Sequence, residues 1–257
     1  MTSETLTADR PNGGIIFRAL FEADFVALSR NRRTLTLSLL LPIVILLTTA
    51  THKGQRSLGG SLLAIGLAIT YGLMSTSMLG YALSVARDRD NGVFQGLRVT
   101  PAPTWMIMTS RLAVQAIANV VIALIVMLVG SAVDHLTLTL PQYGLLLLIS
   151  LLGGAVFLSI GQALVGLLRS PDTVNAAGRV VFIVLFLFGI FGLNGALGSV
   201  FESVARWSPT GTVMVLLSGI MNLSNWSSDD SLALLACLGY IFIFASIGIR
   251  WFRWTSE

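Results

Sequence analysis

The sequence predicts an all-α, polytopic membrane protein with about six transmembrane helices. Three observations carry this. Apolar residues make up 54% of the 257 and charged residues only 11%, against about 25% charge in a soluble domain. The mean hydropathy is +0.83. Apolar stretches of roughly 20 residues recur along nearly the whole chain, and at that length in hydrocarbon the backbone satisfies its own polar groups as helix.

The net charge of +4 and the isoelectric point near 9.8 do not argue for nucleic acid. The basic residues gather beside the apolar stretches, as they do in membrane proteins. Cys237 stands in an apolar run with no second cysteine in the chain. It reads as a small buried hydrophobe, and neither a disulfide nor a thiolate zinc site can form. The first thirty-odd residues are polar and mixed. They do not read as a cleavable signal, so insertion is expected to start from the first span.

Residues 1–33 form a cytoplasmic section. A polar tail, 1–9, is expected to be disordered. From 14 to 33, Ile16, Leu20, Phe21, Phe25 and Leu28 recur at helical spacing. Arg18, Arg30, Arg32 and Arg33 add positive charge, which fits an amphipathic helix on the inner leaflet. A plain juxtamembrane segment is the alternative. The membrane domain then runs over 34–257. Span 1 covers 34–51, with a kink expected at Pro42, and a polar link follows at 52–57. Span 2 covers 58–86, long enough to tilt. Thr70, Ser77 and Ser84 lie seven apart and so share a face. That face suits close helix packing or a wall along a substrate path.

The densest charge in the chain comes next, over 87–101: Arg87, Asp88, Arg89 and Asp90, then Gly92, Leu97 and Arg98, ending at Thr100 and Pro101. Such a segment cannot sit in hydrocarbon. It reads as a short water-exposed helix across the membrane surface. Pro101 disfavours helical backbone at Thr100 and so marks its end. Composition alone leaves an ordinary charged loop equally open.

Span 3 covers 105–133. Arg111, Gln115 and Asn119 fall at i, i+4 and i+8, giving one polar stripe. The stripe serves as bonding between helices or as part of a permeation path, and Arg111 can also snorkel to the interface. Asp134, His135 and Pro141 mark an external link. Span 4 covers 142–168, and the polar loop 169–175 is a second cytoplasmic contact. Span 5 covers 179–197. Its glycines at 189, 192, 195 and 198 drift around the helix, so a local break is expected rather than a packing seam. Two apolar pieces, 198–206 and 211–222, are each too short to cross a bilayer and read as a re-entrant or external hairpin. Span 6 covers 231–249. No internal repeat is visible.

Arg10, Arg18, Arg30, Arg32, Arg33, Arg87, Arg89, Arg98, Arg111, Arg169, Arg179, Arg250 and Arg253 fall on one side of this layout. Only Lys53, Arg56 and Arg206 fall on the other. The positive-inside rule puts the first set, with both termini, in the cytoplasm. Chemistry is sparse. There is no phosphate-binding G-x-x-x-x-G-K-[ST], and Lys53, the single lysine, lies outside any glycine-rich loop. No catalytic constellation is visible, and no His, Asp or Glu cluster has metal-ligand spacing. The predicted spans hold no carboxylate at mid-depth, which argues against an ion-driven carrier.

Asp88, Asp90, Gly92, Leu97, Thr100 and Pro101 between the second and third spans, together with the span layout, resemble the ABC-2 family of ABC-transporter permeases. That family usually has Glu at the acidic positions and often Thr-Leu-Glu after the glycine, where this chain has Asp and Val93, Phe94 and Gln95. The resemblance implies a coupling helix between spans 2 and 3 that docks a separate ABC ATPase. Arg87, Asp88, Arg89, Asp90, Gly92, Leu97, Thr100 and Pro101 would carry it, helped by the N-terminal helix. It implies that the partner ATPase binds ATP and Mg, while this chain holds no cofactor, no metal and no catalytic residue. It further implies a second copy or a related permease chain as partner, no nucleic acid, and a multi-pass place in a bacterial-type cell membrane. The expected function is export of a hydrophobic or amphipathic drug, antibiotic or lipid. Thr70, Ser77, Gln115, Asn119 and Asn194 are then placed along the substrate path, with Met74, Met78, Phe182 and Phe186 near it. The alternative is a non-transporting accessory, regulatory or immunity membrane protein.

Overall fold

The computed structural model describes residues 13–30, 32–51, 61–98, 103–134, 136–192 and 197–251. The tail 1–9, the link 52–57, Thr100, Pro101, His135, Asn194, Gly195 and Arg253 lie outside them. Every element among the described residues is helical. In chain order these are α1 (Gly13–Arg30), α2 (Arg32–Thr51), α3 (Ser61–Leu73), α4 (Tyr81–Asp90), α5 (Val93–Arg98), α6 (Thr104–Asp134), α7 (Leu140–Leu167), α8 (Pro171–Leu187), α9 (Ser199–Arg206), α10 (Pro209–Met221) and α11 (Ser228–Trp251). A π-helical segment, Met74–Gly80, joins α3 to α4 without a break, and a second, Phe188–Gly192, extends α8.

Among the described residues five helices are long and apolar enough to cross a membrane: Leu62–Asp90, Trp105–Asp134, Leu140–Leu167, Pro171–Gly192 and Ser228–Trp251. The first is the axis of the bundle. It is 83% buried along its apolar window, against 17% for Ser228–Trp251 at the rim. α2, α6, α7, α8 and α10 pack around it. Leu148, Ile183, Leu235 and Phe242 point outward from the rim helices. A belt of exposed large apolar side chains is costly in water and suited to lipid. The chain is a multi-pass membrane protein.

Helix starts follow from local chemistry. The amide and hydroxyl of Thr139 both donate to Gln142 Oε1, at 2.8 and 2.9 Å, with Leu140 and Pro141 in the first turn of α7. Ser170 Oγ accepts from the Thr173 amide at 3.2 Å and Ser208 Oγ from the Gly211 amide at 3.1 Å. Each precedes a proline at the first helical position, where the missing N–H costs nothing.

Several expectations change. The loop expected over 169–175 is mostly helix, because Ser170 caps, Pro171 opens and Asp172 favours the first turn of α8. The segment expected to lie across the surface from Arg87 divides differently. Arg87 to Asp90 are the last turn of α4, and the chain turns only at Gly92, whose φ is +70°. The separate helix is the six-residue α5. Helix continues through Pro42. The Ser38 carbonyl, one turn before that proline, lies 3.3 Å from where a Cβ on Gly72 would stand. Within the piece over 211–222, Val213, Leu216 and Leu217 of α10 are fully buried among α3, α7 and α11. The glycines near 189–192 are packing sites as well as a change of helix type. A Cβ on Gly192 would stand 2.0 Å from that of Ala205.

Candidate functional site

α1 lies against α6. Ile16, Leu20 and Leu28 turn partly inward, as spacing predicts, but the four-residue step puts Asp24 on the same face. There it meets α6. The Ser110 hydroxyl donates to Asp24 Oδ2, and Arg111 Nε stands 3.6 Å from Asp24 Oδ1. The far end of the same guanidinium reaches Asp88 Oδ2 of α4 at 2.7 Å. One arginine thus faces two carboxylates from two other helices. Burial raises the Asp24 carboxyl above the ordinary aspartate range. The Ser110 hydroxyl and Arg111 oppose that rise, and Asp88 adds to it.

Next to this triad is a cavity of about 270 Å³ between α1 and the α4, α5 and α6 helices. Leu20, Val85, Ile107 and Val114 make apolar walls. Thr76 and Gln115 also border it, so it extends roughly three helical turns along α4 and the π segment from Asp88.

Beyond it lies a second polar group. Asn119 Oδ1 accepts from Ser77 Oγ at 2.8 Å, Thr76 Oγ1 at 3.1 Å and Gln115 Nε2 at 3.4 Å. Gln115 Nε2 also lies 3.2 Å from Ser77 Oγ. All four side chains are buried. In an α-helix neighbouring residues point about 100° apart. Here consecutive hydroxyls reach one amide because they sit in the π segment, whose wider turn changes their directions. Glycines on α7 make room: a Cβ on Gly154 would fall 2.1 Å from Asn119 Nδ2, and one on Gly161 2.9 Å from the Met78 carbonyl.

The expected path residues therefore separate. Ser77, Gln115 and Asn119 come together. Thr70 does not join them; its hydroxyl bonds the Gly66 carbonyl at 2.7 Å within its own helix. Ser84 does not share a face with Ser77. It is exposed beside the cavity, because the intervening π segment shifts the register. Asn194 lies outside the described residues. Met74 and Met78 are core side chains, and Phe182 and Phe186 pack edge-on to Tyr71 at 5.1 Å.

The expected coupling residues separate as well. Arg87, Asp90 and Gln95 are exposed, and Asp88 is held by Arg111. Arg89 turns inward. Only 3% exposed, it donates to the carbonyls of Val165, Leu168 and Arg169 at 2.9, 2.8 and 2.7 Å. It thereby closes the C-terminal end of α7, where helix carbonyls lack partners and a cation is favoured. The backbone of Gly92 and Leu97 is described; Thr100 and Pro101 lie outside. Sequence reading passed over Asp24, Ser110 and Thr76. The i+4 spacing from Leu20 to Leu28 was a signal for Asp24, whereas the π segment had none.

Among the described residues no group of three His, Cys, Asp or Glu could hold a metal ion. Comparison with known proteins agrees with a transport component. The profile of the ABC-2 type transporter family matches residues 16–222, from α1 through α10. A relative in Bacillus subtilis (strain 168), named "Putative transport permease YvfS", is 22% identical over 175 residues, covering 68% of this chain and 70% of the relative. With the match spanning most of the chain and most of its helices, this protein belongs to the ABC-2 type transporter family and is a transport permease of the membrane.

Proposed function

We propose that this chain is the membrane-spanning permease subunit of an ATP-driven ABC exporter. It forms a path for a hydrophobic or amphipathic substrate such as a drug, antibiotic or lipid. A separate ABC ATPase binds ATP and Mg and docks at the cytoplasmic turn of Arg87, Asp90, Gly92 and α5, continuing to Thr100 and Pro101. In this reading α2 is the first of six spans, α1 lies on the inner leaflet, and α9 with α10 forms a re-entrant element on the outer side. Both termini are cytoplasmic in a bacterial-type cell membrane, and a second copy or a related chain completes the path.

The observation that carries this reading is the continuity of the most buried helix into an exposed charged turn. The turn is not loosely tethered. Arg89 fastens it to the end of α7, and Asp88 fastens it through Arg111 to α6 and toward α1. A push on α5 is therefore transmitted to α1, α6 and α7 together. Packed helices with two arrangements convert such a push into a switch.

The test is co-purification of the detergent-solubilised chain with an ABC ATPase expressed beside it. Arg87→Glu with Asp90→Lys changes only exposed charge, so the fold should persist while the ATPase is released and substrate-stimulated hydrolysis stops. If no ATPase associates with the unmodified chain under any condition, the coupling assignment fails and a non-transporting accessory role takes its place.

A further inference from the structure

The cavity beside the triad has, among the described residues, a charge that does not balance. Among the described residues its charged lining is Asp24, Asp88 and Arg111, two carboxylates to one guanidinium. Arg111 is committed to Asp88, at 2.7 Å against 3.6 Å to Asp24. The Ser110 hydroxyl supplies a hydrogen bond to Asp24 but no charge. A partly buried carboxylate that shares its counter-charge with a second carboxylate favours a cation that can approach it. The remaining wall is mostly apolar and offers Leu20, Val85, Ile107 and Val114. At about 270 Å³, the space is just below the usual range for drug-sized ligands, so its occupant is compact.

We propose that this cavity is a binding site for a compact amphipathic monocation. Its charged head lies against Asp24, and its apolar body packs between α1 and the α4 and α6 helices. The site lies within one chain, at the level of the charged turn, and needs no second permease chain to form. The inference deepens the permease reading and rests on it for its purpose: the cavity collects the substrate class from the inner leaflet before transport. Closing α1 onto α6 around the cation would couple its capture to the charged turn through Asp88.

The test uses the purified full chain in phosphatidylcholine nanodiscs, with empty nanodiscs as blank. The probe is radiolabelled benzyltriethylammonium, followed by equilibrium dialysis, with para-butylbenzenesulfonate as an anion of similar bulk. Saturable binding of the cation and none of the sulfonate is expected. Asp24→Asn keeps the shape and removes the charge, and should weaken binding about tenfold or more. Ala27→Leu, at an exposed position of α1 that borders the cavity, should weaken it by filling space without risk to the fold. Asp172→Asn, exposed at the start of α8, should leave it unchanged. Equal binding of cation and sulfonate, or undiminished cation binding by both Asp24→Asn and Ala27→Leu, overturns the site even if ATP-driven transport is found. Asp24-dependent binding by a chain that recruits no ATPase upholds the site and overturns the ATP-driven exporter reading instead.

Discussion

Arg111 and Asn119 stand on one stripe of one helix, two turns apart, and do opposite things. Around Asn119 the donors and acceptors are neutral, buried and tied to one another, and glycines on α7 close the space. Around Arg111 the groups are charged, partly exposed and unequal in number, and a cavity stays open beside them. A satisfied neutral cluster holds helices together and asks for nothing further. An uneven charged cluster at the edge of the bundle stores an attraction for something outside the chain. Polar residues at membrane depth are therefore not one class, and the balance of charge with packing tells the two kinds apart.

The largest way to break this comparison is Arg111→Met. It leaves Asp24 and Asp88 facing each other with no cation between them. Breaking a buried pair from one side costs about 3–5 kcal/mol. Both carboxylates keep some solvent contact, so we expect about 2–3 kcal/mol, read as a fall in melting temperature of the detergent-solubilised chain. Adding Asp24→Asn and Asp88→Asn should recover most of it. No recovery would mean that Arg111 acts by packing rather than charge.

Next in size is Gly154→Ala. The added methyl collides with the Asn119 amide and should loosen its bonds to Thr76, Ser77 and Gln115. Hydrogen bonds between membrane helices are worth about 0.6 kcal/mol on average and up to about 1.7, so a loss of about 1–2 kcal/mol is expected. Asn119→Ala should cost about as much alone and add little in the Gly154→Ala background. Full additivity in that double-mutant cycle would separate the glycine from the cluster.

The smallest effect concerns pH. The folded chain raises the Asp24 carboxyl above the ordinary aspartate range. It therefore holds that proton more tightly than the unfolded chain does. Its contribution to stability is full below the ordinary aspartate pKa and is lost as pH rises through the elevated folded value. Asp24→Asn should flatten that dependence between acid and neutral pH, while Asp172→Asn should not. A melting-temperature profile that Asp24→Asn leaves unaltered would place the proton elsewhere.

Much of the fold was legible because hydrocarbon admits few alternatives. Apolar length marked the helices of spans 2 to 6 to within a few residues at most ends. The polar stripe on α6 was legible too, since three positions at i, i+4 and i+8 share a helix face. What periodicity could not supply was a change of periodicity. The π segment over Met74–Gly80 lets Thr76 and Ser77 share one partner and moves Ser84 away, against the seven-residue spacing. Nor could charge density tell an exposed arginine from a buried one. Arg87 and Arg89 read alike in the sequence, yet one faces outward and the other closes the end of α7.

The sequence by itself determined that this chain lives in a membrane, where most of its long apolar helices run and where its charge concentrates. Those properties follow from transfer free energies and backbone hydrogen bonding, which add up locally along the chain. Only the tertiary structure decided which polar groups meet. It set Asp24 of α1 against Ser110 and Arg111 some 86 positions later, and left a space beside them. That outcome depends on which helix faces pack together, and packing is a property of the assembled bundle, fixed by the fit of all its side chains at once.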